Sequence, residues 1–248
     1  FGRGALRQAM FGHALMAARG MEPGSPAEDK YINDFLTHVI AHEVGHTLGL
    51  RHNFRASTLL PLDQLQDTAR TGEQGLTGSV MDYIPVNLAA AGQKQGAYWQ
   101  THLGPYDLWA IEYAYKVFPG AKKPQDELPE LHQIASRVAE AGNTYGTDED
   151  RADPRTSVWD IGADPIAYYK QRAGLARELW KKIPTTLAKE GEGYQVMRRS
   201  FQAGLYEFVP AIGNVTKFIG GVYANRDHVG DPQGRLPLQP VPAERQRE

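Results

Sequence analysis

The chain predicts an α+β fold that is predominantly helical, and three observations carry that expectation. Apolar residues recur at helical spacing in several stretches, as in Leu36, Ile40, Val44 and Leu48, or Ile166, Tyr169, Ala173 and Ala176. Only one stretch, residues 215–223, reads as a strand, with Gly220-Gly221 as a bend or bulge. The 248 residues are 41% hydrophobic and 23% charged, enough to bury one large core or two modest ones.

The elements follow in order. Residues 4–19 suit a helix, and the short stretch before residue 31 has room for little more. Residues 33–48 predict a second helix, whose Leu36, Ile40, Val44 and Leu48 form an i,i+4 stripe suited to the core. Gly49 ends it, because glycine readily adopts the left-handed conformation that turns the chain back. The connection from 53 to 78, broken by Pro61, Gly72, Gly75 and Gly78, reads either as a lid over a cleft or as a surface excursion with a short helix near 62–68. A polar loop spans 92–104. Pro105 then opens an apolar helix to 118, with Asp107 placed to cap it or to bond backbone near residues 79–83. Helices are expected at 128–141, 165–183 and about 193–209. The acidic run in the loop 142–155 lacks EF-hand spacing and reads as solvated. His228 has no spaced partner and reads as structural, and the Pro-rich tail from Asp231 as extended.

The chemistry concentrates between His42 and His52. On a helix His42 and His46 stand four apart on one face, ~6 Å along the axis, close enough to grip one ion. Glu43 points elsewhere but stays close, where it can take a proton from water. His38 lies on the same line. Eight residues separate it from His46, ~12 Å on an ideal helix against Zn–N bonds of ~2 Å, so the two cannot share an ion. His38 therefore reads as a partly exposed helix histidine, or else as a residue that supports the ligands from behind or stands at the cleft. The turn at Gly49 lets His52 approach from a third direction, giving three imidazoles and an open fourth position around one catalytic Zn2+.

The spacing H-E-x-x-H-x-x-G-x-x-H resembles the metzincin metallopeptidases, and Ser79-Val80-Met81-Asp82-Tyr83 resembles their methionine turn. The resemblance implies Ser79 and Met81 in a turn that floors the metal site, and Tyr83 as a hydrogen-bond donor to the oxyanion. It also implies Ile84, Pro85, Val86 and Asn87 as the wall of a pocket for the substrate side chain after the scissile bond. The stretches HEVGHTLGLRHNF, SVMDYIPVN, LGPYDLWAIEYAY and IGGVYANRDHVGD are similar to a bacterial group of large, exported, zinc-dependent metzincin-like proteins. That similarity implies a zinc catalytic core over 1–118 with a reduced or missing N-terminal sheet. It implies a mainly helical extension over 119–248 with a short β segment near 215–223, a periplasmic or extracellular location, and contacts with upstream and downstream segments of a longer parent.

The function expected is a zinc endopeptidase acting on peptides or proteins, with Glu43 as general base. Two alternatives stay open: a catalytically silent zinc-containing module that binds polypeptide, and a zinc hydrolase of a non-peptide amide or ester. A formal charge of −2 gives no general attraction to nucleic acid. No apolar run approaches the ~20 residues of a membrane span. The absence of cysteine excludes disulfides and thiolate ligands.

Overall fold

The computed structural model describes residues 2–187, 190–191, 193–232 and 234–248. Helix α1 runs over Gly2–Ala18 and is followed at once by α2, Pro26–Thr47. The second helix begins a full two turns before the expected residue 33. Ser25 is its N-cap, accepting from the Glu28 amide, Pro26 supplies a preset φ at the first position, and Glu28 and Asp29 favour the positive end of the helix dipole. These start signals outrank the weak apolar periodicity of residues 26–32.

Between the two helices Tyr31 donates to the carbonyl of Ala9 at 2.8 Å. Phe11, Leu15 and Met16 of α1 then join Tyr31, Val86, Leu88, Trp99, Leu175 and Leu179 in one core. Leu175 and Leu179 belong to α6, Pro165–Lys182, so the second half of the chain packs on the first through a shared core. Arg172 of the same helix is buried and joins three segments, reaching Glu207 at 2.6 Å, the Val86 carbonyl at 2.8 Å and the Gln8 amide oxygen. The buried charge persists because Glu207 compensates it.

The other helices are α3, Thr68–Gln74; α4, Pro105–Tyr115; α5, Leu128–Ala135; α7, Gln195–Leu205; α8, Phe208–Val215; and α9, Ala243–Arg247. The β component is one antiparallel pair, β1 Val222–Ala224 with β2 Leu238–Pro240, in which Tyr223 faces Gln239. The fold is thus mostly helical with a small sheet, as expected. Among the described residues no helix is long and apolar enough to cross a membrane.

Four local expectations are corrected. The stripe of Leu36, Ile40, Val44 and Leu48 does not face the core, and each of the four is between 44% and 60% exposed. The chain buries the opposite side of α2, through Tyr31, His38, His42 and Gly45. His38 is accordingly buried, its ring stacked on Trp99 at 5.7 Å, and burial pushes its imidazole down to about 4. The connection after His52 is no lid, because Phe54, Leu60, Leu65 and Leu76 are buried and three of them build a second core with Ile84, Ile161, Tyr168 and Tyr169. The strand expected over 215–223 begins only at Val222, since α8 and a 3-10 turn, Thr216–Phe218, take up the residues before Gly220.

Candidate active site

Helix α2 delivers His42, Glu43 and His46, and the way it ends delivers His52. Gly49 has φ +84°, its amide donates to the His46 carbonyl at 3.0 Å, and the Leu50 amide donates to Gly45 at 3.1 Å. These paired bonds make a Schellman end, which needs a residue tolerant of positive φ. The reversed chain brings His52 back to the helix. Ring nitrogens of His42, His46 and His52 all lie within 4.8 Å of one another.

Each imidazole is anchored through Nδ1. His42 donates to the Val80 carbonyl at 2.8 Å, His46 to the Leu50 carbonyl at 2.9 Å and His52 to Asp148 Oδ2 at 2.9 Å. A carbonyl or carboxylate oxygen can only accept, so each Nδ1 carries a proton, and Nε2 is the nitrogen left to ligate a metal. Burial also pushes His42 down to about 3, which keeps that ring neutral. His46 Nε2 and His52 Nε2 approach to 3.1 Å. A cation seated between them takes both nitrogens as ligands. The donor set therefore fits a divalent metal, and three neutral imidazoles suit zinc.

The floor is built by close packing. Met81 is fully buried, and a Cβ added to Gly45 would lie 2.2 Å from its sulfur, so only glycine at that place in α2 admits the methionine. Asp107, at the start of α4, does both things considered for it. Its carboxylate accepts from the Gly104 amide at 2.8 Å as a cap, and from Ser79 Oγ at 2.5 Å and the Val80 amide at 2.9 Å. Val80 in turn holds His42, so the turn that carries Met81 also orients a histidine.

Tyr83 Oη donates to His52 Nε2 at 2.9 Å, and its ring lies 5.3 Å from that of His42 and 4.9 Å from Phe54. Burial first, then the Asp148 and Glu43 carboxylates, push its phenol up against an opposing pull from Arg151, so the O–H remains a donor. Glu43 is exposed, and near enough for its charge to act on Tyr83.

Other placements differ from expectation. Ile84, Pro85, Val86 and Asn87 are all buried, Ile84 and Val86 in the two cores, while Asn87 bonds to the carbonyls of Leu65 and Ala97. They pack against the 53–78 connection and the 92–104 loop. Asp148, by contrast, was hidden in a run that reads as solvated. Its partner lies 96 residues away, and no local signal announces it. Trp159 likewise gives no sequence signal, yet its ring stacks on Tyr83 at 5.5 Å.

No curated protein and no solved structure matches the chain. A family model described as Met-zincin matches residues 24–248, from just before α2 to the last residue. That span takes in the histidine motif, the Met81 turn, Asp148 and all the helices after α1, and on it the chain belongs to the Met-zincin family.

Proposed function

We propose that the protein is a zinc-dependent endopeptidase whose metal is held by His42, His46 and His52. The observation that carries the reading is the convergence of three Nε2 nitrogens, each fixed by an acceptor on Nδ1, beside an exposed glutamate and a tyrosine hydroxyl. A zinc ion held there supplies Lewis acidity, polarising the scissile carbonyl and acidifying water.

The chain's own groups do the rest. Glu43 accepts the proton of the attacking water and returns it to the leaving amine. Tyr83, whose O–H meets His52 Nε2 where no metal takes that lone pair, donates to the carbonyl oxygen as negative charge develops on it. Asp148, Val80 and Leu50 hold the three imidazoles in the tautomer that ligates. Met81 supports the site from below without touching substrate.

Cleavage of an unfolded protein by the zinc-loaded chain, read by mass spectrometry beside Glu43→Ala, tests this. Products from the parent alone are expected. Zinc bound in both with products from neither would leave a module that binds polypeptide, and hydrolysis of esters or small amides alone would move the substrate class.

A further inference from the structure

Trp159 is the one non-glycine residue with positive φ among the described residues, at +63°. A bulky side chain persists there only where its surroundings fix it, and such positions cluster at functional sites. Here the Trp159 amide donates to the Tyr83 carbonyl at 2.8 Å, and Tyr169 Oη reaches the Trp159 carbonyl at 3.4 Å. The indole stacks on Tyr83 and lies against Gly4 so closely that a Cβ there would come within 2.1 Å of the ring.

Trp159 is also a wall of a cleft of about 440 Å3 whose lining includes Arg7, Gln8, Arg151, Tyr206 and Glu207. That volume falls in the roughly 300–1,000 Å3 range of ligand clefts. One aromatic layer separates the cleft from the histidines, since its Trp159 wall stacks on Tyr83. The Arg151 guanidinium lies 6.0 Å from the Phe54 ring, which packs on His52 at 5.1 Å and on Tyr83 at 4.9 Å.

Its charge is unbalanced. The carboxylates nearest Arg151 in sequence are committed elsewhere: Asp148 to His52, Glu149 to Arg51, Asp150 to Arg226 and Asp153 to Arg155. Glu207 is committed to Arg172 and Gln8. Arg7 lies over the Tyr206 ring at 5.0 Å. Among the described residues, neither Arg7 nor Arg151 has a carboxylate within ion-pair distance. Two arginines without a carboxylate partner thus line a cleft whose Trp159 wall stacks on Tyr83. Guanidinium matches carboxylate in both charge and geometry.

We propose that the Arg7–Arg151–Trp159 cleft receives a substrate carboxylate, that of an acidic side chain close to the scissile bond. The proposal rests on the peptidase reading for its substrate. It makes the enzyme selective for acidic sequence, and it places the selecting surface at this cleft instead of at the buried Ile84–Asn87 segment.

The test uses peptide pairs that differ only by Glu against Gln at each position flanking a mapped cleavage site, each with free and amidated C termini. Cleavage is measured with the zinc-loaded wild type, and affinity by fluorescence anisotropy with zinc-loaded Glu43→Ala. The expected result is a preference of about tenfold for Glu at one position, the factor two partly exposed charge contacts supply. It should survive amidation and weaken with rising salt. It should collapse in Arg7→Ala/Arg151→Ala and turn towards Lys in Arg151→Glu. A preference that follows the free C terminus overturns the side-chain assignment, and one that persists in the arginine variants overturns the cleft. Equal cleavage of Glu and Gln peptides overturns the subsite and leaves the peptidase standing; a Glu preference in binding without cleavage supports the subsite while the peptidase reading fails. Should the arginine variants unfold, the wild-type Glu/Gln ratio and its salt dependence still decide.

Discussion

Asp148→Ala removes the acceptor that fixes His52, and the structure sets the size of the effect. His52 Nδ1 donates to Asp148 Oδ2 at 2.9 Å, which leaves Nε2 as the ligating nitrogen. Without the carboxylate the ring is free to rotate or to move its proton to Nε2, and either change withdraws one of three ligands. Partners of this kind are worth about 10–100-fold in metal affinity. The Asp148 side chain is 50% exposed, so water replaces part of the lost bond, and the expected loss lies near the lower end, about tenfold or ~1.4 kcal/mol. Asp148→Asn keeps an acceptor oxygen while losing the charge, and should cost about threefold, since roughly half of a charge-assisted bond survives. Competition with a chelator of known affinity reads the metal directly, without turnover. The proton on His52 can be followed in parallel by nitrogen chemical shifts. Unchanged zinc affinity in Asp148→Ala would refute the reasoning, and equal losses in the two variants would show that charge alone matters.

The remaining predictions concern the floor, the phenol and a buried carboxyl. Gly45→Ala places a Cβ 2.2 Å from the Met81 sulfur in a fully buried site, so the melting temperature should fall by the equivalent of about 1–3 kcal/mol and zinc affinity should fall with it; an unchanged melt would mean that Met81 relaxes without cost. Tyr83→Phe should lower kcat by about a hundredfold while changing zinc affinity much less, the signature of a lost oxyanion donor; equal rates would reduce Tyr83 to packing. Burial pushes Asp160 up to about 7 from an ordinary 3.8, so the folded protein holds this proton while the unfolded chain has lost it, and stability falls as pH rises from about 4 to about 7. His42, held down to about 3, gives the opposite slope below its ordinary 6.5. Urea unfolding of the metal-free wild type against Asp160→Asn therefore reads Asp160 as a difference, and parallel pH profiles would remove it from the account.

How far the sequence foretold this structure follows from the reach of the interactions. His42, Glu43, His46, Gly49 and His52 lie within eleven residues, where helical pitch and the freedom of glycine at positive φ determine who meets whom, and those relations are legible directly. Asp107 was placed correctly because capping is also local, and its reach to Ser79 and Val80 extends that same geometry. The apolar stripe of α2 has the period its sequence predicts and faces away from the core. Periodicity identifies two faces of a helix without saying which one the rest of the chain covers, and here the covered face contains histidines and a glycine. The burial of Ile84–Asn87 is not legible for a related reason, since it depends on loops whose path no local pattern specifies.

The three Nδ1 acceptors show why the legible part does not make a site by itself. Leu50 belongs to the same helix end as His46, Val80 to the turn around Met81, and Asp148 to a loop beyond α5. Val80 is itself held by Asp107 of α4, and the Asp148 loop is tied down by Thr147 and by Arg226 near β1. An isolated segment with the histidine motif would carry all three histidines and one of the three acceptors. It would lack the contacts that choose the tautomer of His42 and His52. The chemistry is thus written locally in the sequence, while its preorganisation is distributed over the fold. Metal affinity should accordingly report on the packing of regions far from the motif, because each anchored ring transfers the ordering of its own neighbourhood to the shared ion.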